Sequence, residues 1–350
     1  ALAGALGGPL GARLADRYGP RRALVPLLLG HVVGLVTLLA AVHADAPTGV
    51  LYAAAVVTGG CLPPVGALTR ARWAALATGP DELAAAFAVE SLTDDLSYVL
   101  GPALATVLGA LVSPVAGPVF SAVLVLVGGL SLAVRGTTPR RAAHVPAPAP
   151  PDSDATPVRR HALLGPLAVP GVRVLAAAFV GVGVVFSGLS VSVTAFAAAH
   201  GHPAAAGPVY SGFGVASMLG GAAYGAVRWR ATPERRLLVG FGVLAVGCLT
   251  LPAVTGLGAL TLAIAMPGLA LAPTIIGGNS LVQALAPAGT ATEAFAWLGG
   301  ASGIGIAAGS ALTGRIVDGG DPRWGFLVPA VAAATAALVI ATARRRLSPP

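Results

Sequence analysis

Ten stretches of this chain are apolar for about 20 residues each, the length that crosses the hydrocarbon of a bilayer. They run Ala23–Ala44, Val50–Leu68, Ala84–Val112, Pro118–Val134, Val174–Ala198, Ala204–Val227, Leu237–Val254, Leu257–Leu281, Ala294–Val317 and Gly325–Ala343. Of the 350 residues 56% are hydrophobic and only 10% charged, against roughly 25% charged in an average soluble domain. A soluble fold of this size cannot bury that much apolar surface, and a disordered chain does not carry it. The chain reads as an all-α polytopic membrane protein. Ala1–Ala12 is also apolar but too short to cross, and reads as the end of a helix that starts before the first residue. Cys61 and Cys248 both lie in apolar segments, which speaks against a disulfide framework.

The 21 basic residues are all arginine and give a net charge of +8. With alternating crossings, 19 of them fall on one face: Arg13, Arg17, Arg21, Arg22, Arg70, Arg72, Arg135, Arg140, Arg141, Arg159, Arg160, Arg173, Arg228, Arg230, Arg235, Arg236, Arg344, Arg345 and Arg346. Only Arg315 and Arg323 fall on the other. This asymmetry assigns the Arg-rich face, with the C-terminus and the central loop, to the cytoplasm. The charge is topological, so no nucleic-acid partner is implied.

One connection is long. Residues 135–173 hold the proline-rich run HVPAPAPP and separate an N-terminal bundle, residues 1–134, from a C-terminal bundle, residues 174–350. The bundles echo each other. Ala86-Phe87-Ala88 recurs as Ala294-Phe295-Ala296, 208 residues later, with Gly101 meeting Gly309 and Leu104 meeting Leu312. Gly11-Ala12 and Arg21-Arg22 recur 214 residues later as Gly225-Ala226 and Arg235-Arg236. Duplicated bundles of this kind build many transporters.

The stretch Ala12–Arg22, ARLADRYGPRR, closely resembles the signature loop between helices 2 and 3 of the major facilitator superfamily, G-x-L-A-D-R-x-G-R-R. Leu14, Ala15, Asp16, Arg17, Gly19 and Arg21 match, while Ala12 stands at the first glycine and Pro20 at a basic position. The resemblance covers the whole chain. It implies two six-helix bundles related by a pseudo-two-fold axis, with helix 1 and part of helix 2 missing. It also implies that Asp16 latches the halves in the outward-facing state against the start of helix 11. Here that start reads Thr290-Ala-Thr-Glu293, a capping-box pattern. Arg70 or Arg72 would complete the latch. Gly19 permits the sharp turn, and Asp16 is within reach of Arg17 or Arg21. Gly101-Pro102 resembles the family's antiporter signature on helix 5, without its full glycine repeat. The arginine that many of its proton antiporters carry inside helix 4 is missing from Leu51–Leu68.

Ala84–Val112 holds the most informative side chains. At about 1.5 Å per residue, Glu90 lies roughly 13 Å along the helix from Asp81. Asp94 and Asp95 lie about a turn further on, so all three fall within the hydrocarbon depth. Glu90, Asp94, Ser97, Tyr98 and Gly101 share one helical face, with Asp95 just outside it. Acids at this depth cost about 2.5 kcal/mol or more each, and no basic residue within the membrane is evident as their partner. Three readings are open: carriers of protons or binders of a cationic cargo, protonated and hydrogen-bonded structural acids, or charges made cheap by a wet cytoplasmic cavity. His31 is the other intramembrane titrating group, a coupling residue or a structural one. Asn279 and Gln283 are cavity-lining candidates, as is Tyr98. Gly221–Gly225 and Gly305–Gly309 have the spacing of close helix packing. The pair His200 and His202 lacks the companions of a metal site.

There is no phosphate-binding loop for ATP, no metal or cofactor motif, and no pairing of nucleophile and base that marks an enzyme. The expected function is secondary transport by alternating access, as proton-coupled export of small amphipathic molecules. An uptake symporter or facilitator is the alternative, and a membrane enzyme a more distant one. The expected partners are lipid, protons and a small-molecule substrate. The expected setting is a monomer in the inner (plasma) membrane of a bacterium.

Overall fold

In the computed structural model the described residues are 2–135, 165–227 and 229–347, apart from the side chains of Tyr98, Val99, Pro102, Ala103, Thr106, Ala110 and Arg135. The proline-rich part of the expected linker lies outside them. The helices are α1 (Leu2–Tyr18), α2 (Pro20–His43), α3 (Thr48–Gly60), α4 (Val65–Leu76), α5 (Pro80–Leu111), α6 (Ala116–Arg135), α7 (Pro170–Ala199), α8 (Ala206–Ala226), α9 (Pro233–Thr250), α10 (Leu257–Ala263), α11 (Ala265–Leu285), α12 (Ala291–Gly319) and α13 (Leu327–Thr342). A short 3-10 turn, Gly165–Ala168, precedes α7. No strand occurs among the described residues.

Every apolar segment is helical, and eight spans are long and apolar enough to cross a membrane among the described residues. Proline opens α2, α5, α7 and α9 at Pro20, Pro80, Pro170 and Pro233, where its missing N–H would have had no helical partner. Two expected boundaries change. Val50–Leu68 is interrupted at Leu62-Pro63-Pro64, and its second half continues as α4 to Leu76. The C-terminal part of this span therefore carries Arg70 and Arg72 on a helix, not on the loop assigned to them from charge alone. Leu257–Leu281 is likewise divided between α10 and α11 at Ile264.

Long helices outside the eight spans include α5, with its acids, and α8, diluted by glycine and serine. They pack against each other. Outward faces are apolar: Leu29, Val33 and Val36 of α2 lie exposed in a row, Val33 at 62%, which in water would be an open interaction patch and in lipid is the ordinary surface. The C-terminal bundle is densely packed around Val185 and Leu189 of α7, Leu237 and Phe241 of α9, Ile276 of α11 and Leu298 of α12. Gly183 and Gly305 let α7 and α12 touch backbone to backbone, so a Cβ on either would collide with the other's main chain. The second GxxxG spacing thus does pack closely. The N-terminal bundle has a small core of its own around Leu24, Leu28 and Leu68. Its Ala12, Ala67, Phe87 and Ala88 belong to the larger core, across the boundary between bundles.

Two antiparallel crossings join the bundles. In one, α1 lies on α12, with Gly300 against the carbonyl of Ala5. In the other, α5 lies on α8: a Cβ at Gly225 would stand 2.6 Å from that of Ala88, and one at Gly221 would stand 4.0 Å from the Ser91 hydroxyl. The first GxxxG spacing is thus an inter-bundle contact. Between the crossings Phe87 and Phe295, equivalent residues of the sequence echo, meet edge to face at 5.7 Å. Residues that contact their own equivalents lie on a two-fold axis. The echo is therefore structural, and its axis passes between these two rings.

Candidate functional site

The bundles line a cavity of about 570 Å³, with Phe295 of the Phe87–Phe295 contact on its wall. Its wall is mostly apolar, with Phe179, Phe186, Leu271 and Ile306 among the contributors. The ionisable side chains on it are Arg70, Asp94 and Asp95, and Asn279, Ser91 and Ser302 add neutral polar groups.

Arg70 projects from α4 to the acids of α5. Its Nη2 donates to Asp94 Oδ2 at 2.5 Å, and its Nε lies 3.5 Å from Glu90 Oε1. Gly66, one turn earlier, leaves room for the guanidinium: a Cβ there would be 3.1 Å from an Arg70 nitrogen. This corrects two expectations. The acids do have a basic partner on a neighbouring helix of the same bundle, and Arg70 contacts them rather than the start of α12. The guanidinium suits two carboxylates because its fork presents several donors in one plane. Glu90 is 8% exposed and stands behind Arg70, off the cavity wall, whereas the Asp94 side chain is 48% exposed and opens into the cavity. Asp95 turns away from Asp94, toward Ser217 of α8.

The other expected residues fall in different places. His31 joins α2 to α3 through a 2.8 Å hydrogen bond with the Thr58 carbonyl, away from the cavity wall. Asn279 lines the cavity; Gln283 does not, and its Oε1 is buried without a partner among the described residues. The helix α5 continues through Gly101 and Pro102, and a Cβ at Gly101 would meet nothing within 4 Å. The side chains of Tyr98 and Pro102 lie outside the described residues. Among the described residues no three potential ligands gather as a metal site.

At the Arg-rich end, Asp16 meets the start of α12. Its Oδ2 accepts from the Glu293 backbone N–H at 2.9 Å. The expected capping box does not form, because the Thr290 hydroxyl turns back to the Pro287 carbonyl and Glu293 is drawn elsewhere. An aspartate from the other bundle does the work of a helix cap. Glu293 in turn receives Arg13 in a two-pronged pair, Nε at 3.0 Å and Nη2 at 2.6 Å, with Trp297 Nε1 at 3.3 Å. Burial pushes the Asp16 carboxyl up to about 6, against the pull of its hydrogen bonds from Thr292 and Glu293. Gly19, at φ +90°, makes the turn into α2 as its place in the motif requires. Arg17 lies over the ring of Tyr18, 5.3 Å from its centre, and Arg21 is exposed. Arg72 is partly exposed on α4. Neither Arg17 nor Arg21 bonds Asp16 among the described residues.

The sequence reading missed Arg13, which stands at the variable second position of the motif, and it missed Ser217. Arg13 was counted only as a topological charge. A family model described as Major Facilitator Superfamily matches residues 1–292. The chain belongs to the major facilitator superfamily. Solved structures agree on the fold of this facilitator. The human organic anion transporter MFSD10 (TETRAN) is 17% identical with a TM-score of 0.70, over 99% of this chain and 81% of that one. The E. coli fucose:proton symporter FucP (N162A) is 17% identical with a TM-score of 0.67, over 98% and 89%. No curated protein matches the sequence significantly. As a family member, the chain is a multi-pass membrane protein with the fold of a secondary transporter.

Proposed function

We propose that this facilitator exports small amphipathic molecules, cationic or neutral, in exchange for protons, from a bacterial cytoplasm across the plasma membrane, as a monomer. The observation that carries the reading is the Arg70–Asp94 ion pair on the wall of an otherwise apolar cavity between the bundles. Apolar walls with a few placed polar groups are what an amphipathic ligand needs. Arg70 offsets one of the three nearby carboxylates, and the surplus of acid attracts a proton or a cation rather than an anion. Alternating access then follows from rocking the two bundles against each other around the central cavity. The Arg-rich end is the cytoplasmic end, by the arginine distribution, so the Asp16–Glu293 contact is the cytoplasmic latch.

The second reading, uptake or facilitated diffusion of an anionic or sugar-like metabolite, draws on Arg70 itself. A cavity-facing guanidinium is a ready partner for a carboxylate, and the two structurally similar proteins named above are an organic anion transporter and a fucose:proton symporter.

Proteoliposomes with a trapped pH dye and an imposed pH gradient separate the two. A panel of cationic, neutral and anionic compounds is added to the protein. Proton movement triggered by cations or neutral amphiphiles, and lost in Asp94→Asn, is the expected result. Proton movement triggered only by anions, or labelled compound crossing without protons, would overturn it.

A further inference from the structure

The three acids of α5 have three different surroundings, and only Asp95 is directed across a crossing between the bundles. Glu90 faces α4 within its own bundle, next to Arg70 and Gly66. Asp94 faces Arg70, also within the bundle, and is already neutralised by it. Asp95 is directed across the α5–α8 crossing to Ser217, which is fully buried. Below it along the same seam, Ala88 packs on Gly225 and Ser91 on Gly221. Asp95 Oδ2 and Ser217 Oγ are both buried without a completed hydrogen bond among the described residues. A buried carboxylate oxygen facing a hydroxyl, with no cation of its own, is costly as an ion. As the neutral acid it becomes a donor, and Ser217 can accept while turning its own hydrogen to a carbonyl of its helix.

We propose that Asp95 carries the transported proton, held as the neutral acid against Ser217 while the bundles are closed at their Arg-rich ends and released when the α5–α8 crossing parts. The balance is simple: one proton leaves the water of the cavity for the Asp95 carboxylate, and leaves it for the water that enters the opened crossing. No bond other than O–H is made or broken. The charged groups around Asp95 are Arg70 of α4 with Glu90 and Asp94 of α5; α8 presents Ser217, with Tyr210 and Tyr224 further along it, and α11 and α12 present Asn279 and Ser302. This assignment rests on the proton-coupled reading above and divides labour that the reading leaves undivided. Asp94 with Arg70 then meets the cargo, and Asp95 the proton.

The test is a distance measurement. Spin labels are placed at Arg21→Cys and Arg235→Cys, exposed equivalents on the two bundles, in a chain with Cys61→Ala and Cys248→Ala, reconstituted in lipid. The whole series carries Asp16→Asn, because Asp16 also takes up protons in the closed arrangement. The parent of the series is expected to show one short distance at acid pH and a longer one as pH rises. Asp95→Asn, a fixed neutral mimic, is expected to keep the short distance at every pH, while Glu90→Gln and Asp94→Asn keep the response. Ser217→Ala removes the acceptor and is expected to move the midpoint to lower pH by about half a unit to one unit. A full pH response in Asp95→Asn, with an unmoved midpoint in Ser217→Ala, would overturn the Asp95 assignment and leave proton coupling standing. No pH response in the parent would overturn both.

Discussion

The two crossings between the bundles are related by the same axis and have opposite chemistry. Where α1 meets α12, the Arg-rich end is charged: Arg13, Asp16 and Glu293 are joined. The middle is bare, with Gly300 against the Ala5 backbone and Gly303 near its methyl. Where α5 meets α8, the order is reversed. The positions equivalent to Arg13, Asp16 and Glu293 are Val227, Arg230 and Ala85, and that end closes with Ala88 on Gly225. The polar pair, Asp95 and Ser217, stands in the middle. One crossing is held at its edge by an ion pair and a helix-capping hydrogen bond; the other holds a titratable group at its centre. Symmetric rocking is therefore opposed by two unlike contacts, one that must be pulled apart and one that must be wetted.

The largest break in this comparison is expected from Glu293→Ala, which removes the carboxylate that receives Arg13 and Trp297. A fully buried pair broken on one side costs about 3–5 kcal/mol. The Arg13 side chain is 39% exposed and regains water, so about 2 kcal/mol of the closed arrangement is expected to be lost. The fraction of short distances between labels at Arg21 and Arg235 reads this directly. Next come Gly300→Leu and Gly225→Leu, one on each crossing. Overpacking costs about 1–3 kcal/mol; Gly300→Leu is expected to be the more damaging, since it meets backbone and Gly225→Leu meets a methyl.

A third measurement concerns pH. Asp16 titrates near 6 in the closed latch and near 4 when hydrated, so the closed form binds the proton more tightly. Its contribution to closure is complete below about pH 4 and is lost as pH rises through about 6. Asp16→Asn is expected to remove that part of the pH dependence, read with the same labels. A fourth sharpens the comparison by transplanting the latch: Ala85→Glu with Val227→Arg is expected to favour closure by up to about 1 kcal/mol, as an exposed pair does. The smallest effect is expected from Thr290→Ala. Its hydroxyl caps nothing in α12, so closure and thermal stability are expected to change by under about 0.5 kcal/mol, where a true cap would cost about 1.

The helices and their division into two bundles were legible because lipid demands long apolar runs and the arginines mark their ends. Asp16 and the start of α12 were legible because the motif fixes a position in the fold. Arg70 was not, for a local reason. Charge was read as the end of a span, yet α4 continues for six residues beyond Arg70, and a helix tucked between bundles tolerates a guanidinium that a lipid-facing one does not. Thr290–Glu293 misled in the same way, since a short-range capping pattern was overridden by Asp16 and Arg13, more than 270 residues away in the chain. Asp95 fell just off the polar stripe of α5 on a helical wheel, and a wheel does not show that α8 supplies a second polar surface for it.

The edge-to-face contact of Phe87 and Phe295 has a consequence for how such a chain can diverge. Every off-axis contact of a duplicated fold is present in two copies, so one copy can be charged while the other is not, as at the two crossings. A contact on the axis has a single copy, made by a residue and its own equivalent, here Phe87 and Phe295. A change in either ring is felt at once by its twin, and no spare contact shields it. The centre of the molecule is thus where the two halves stay kin, and the periphery is where they are free to become specialists.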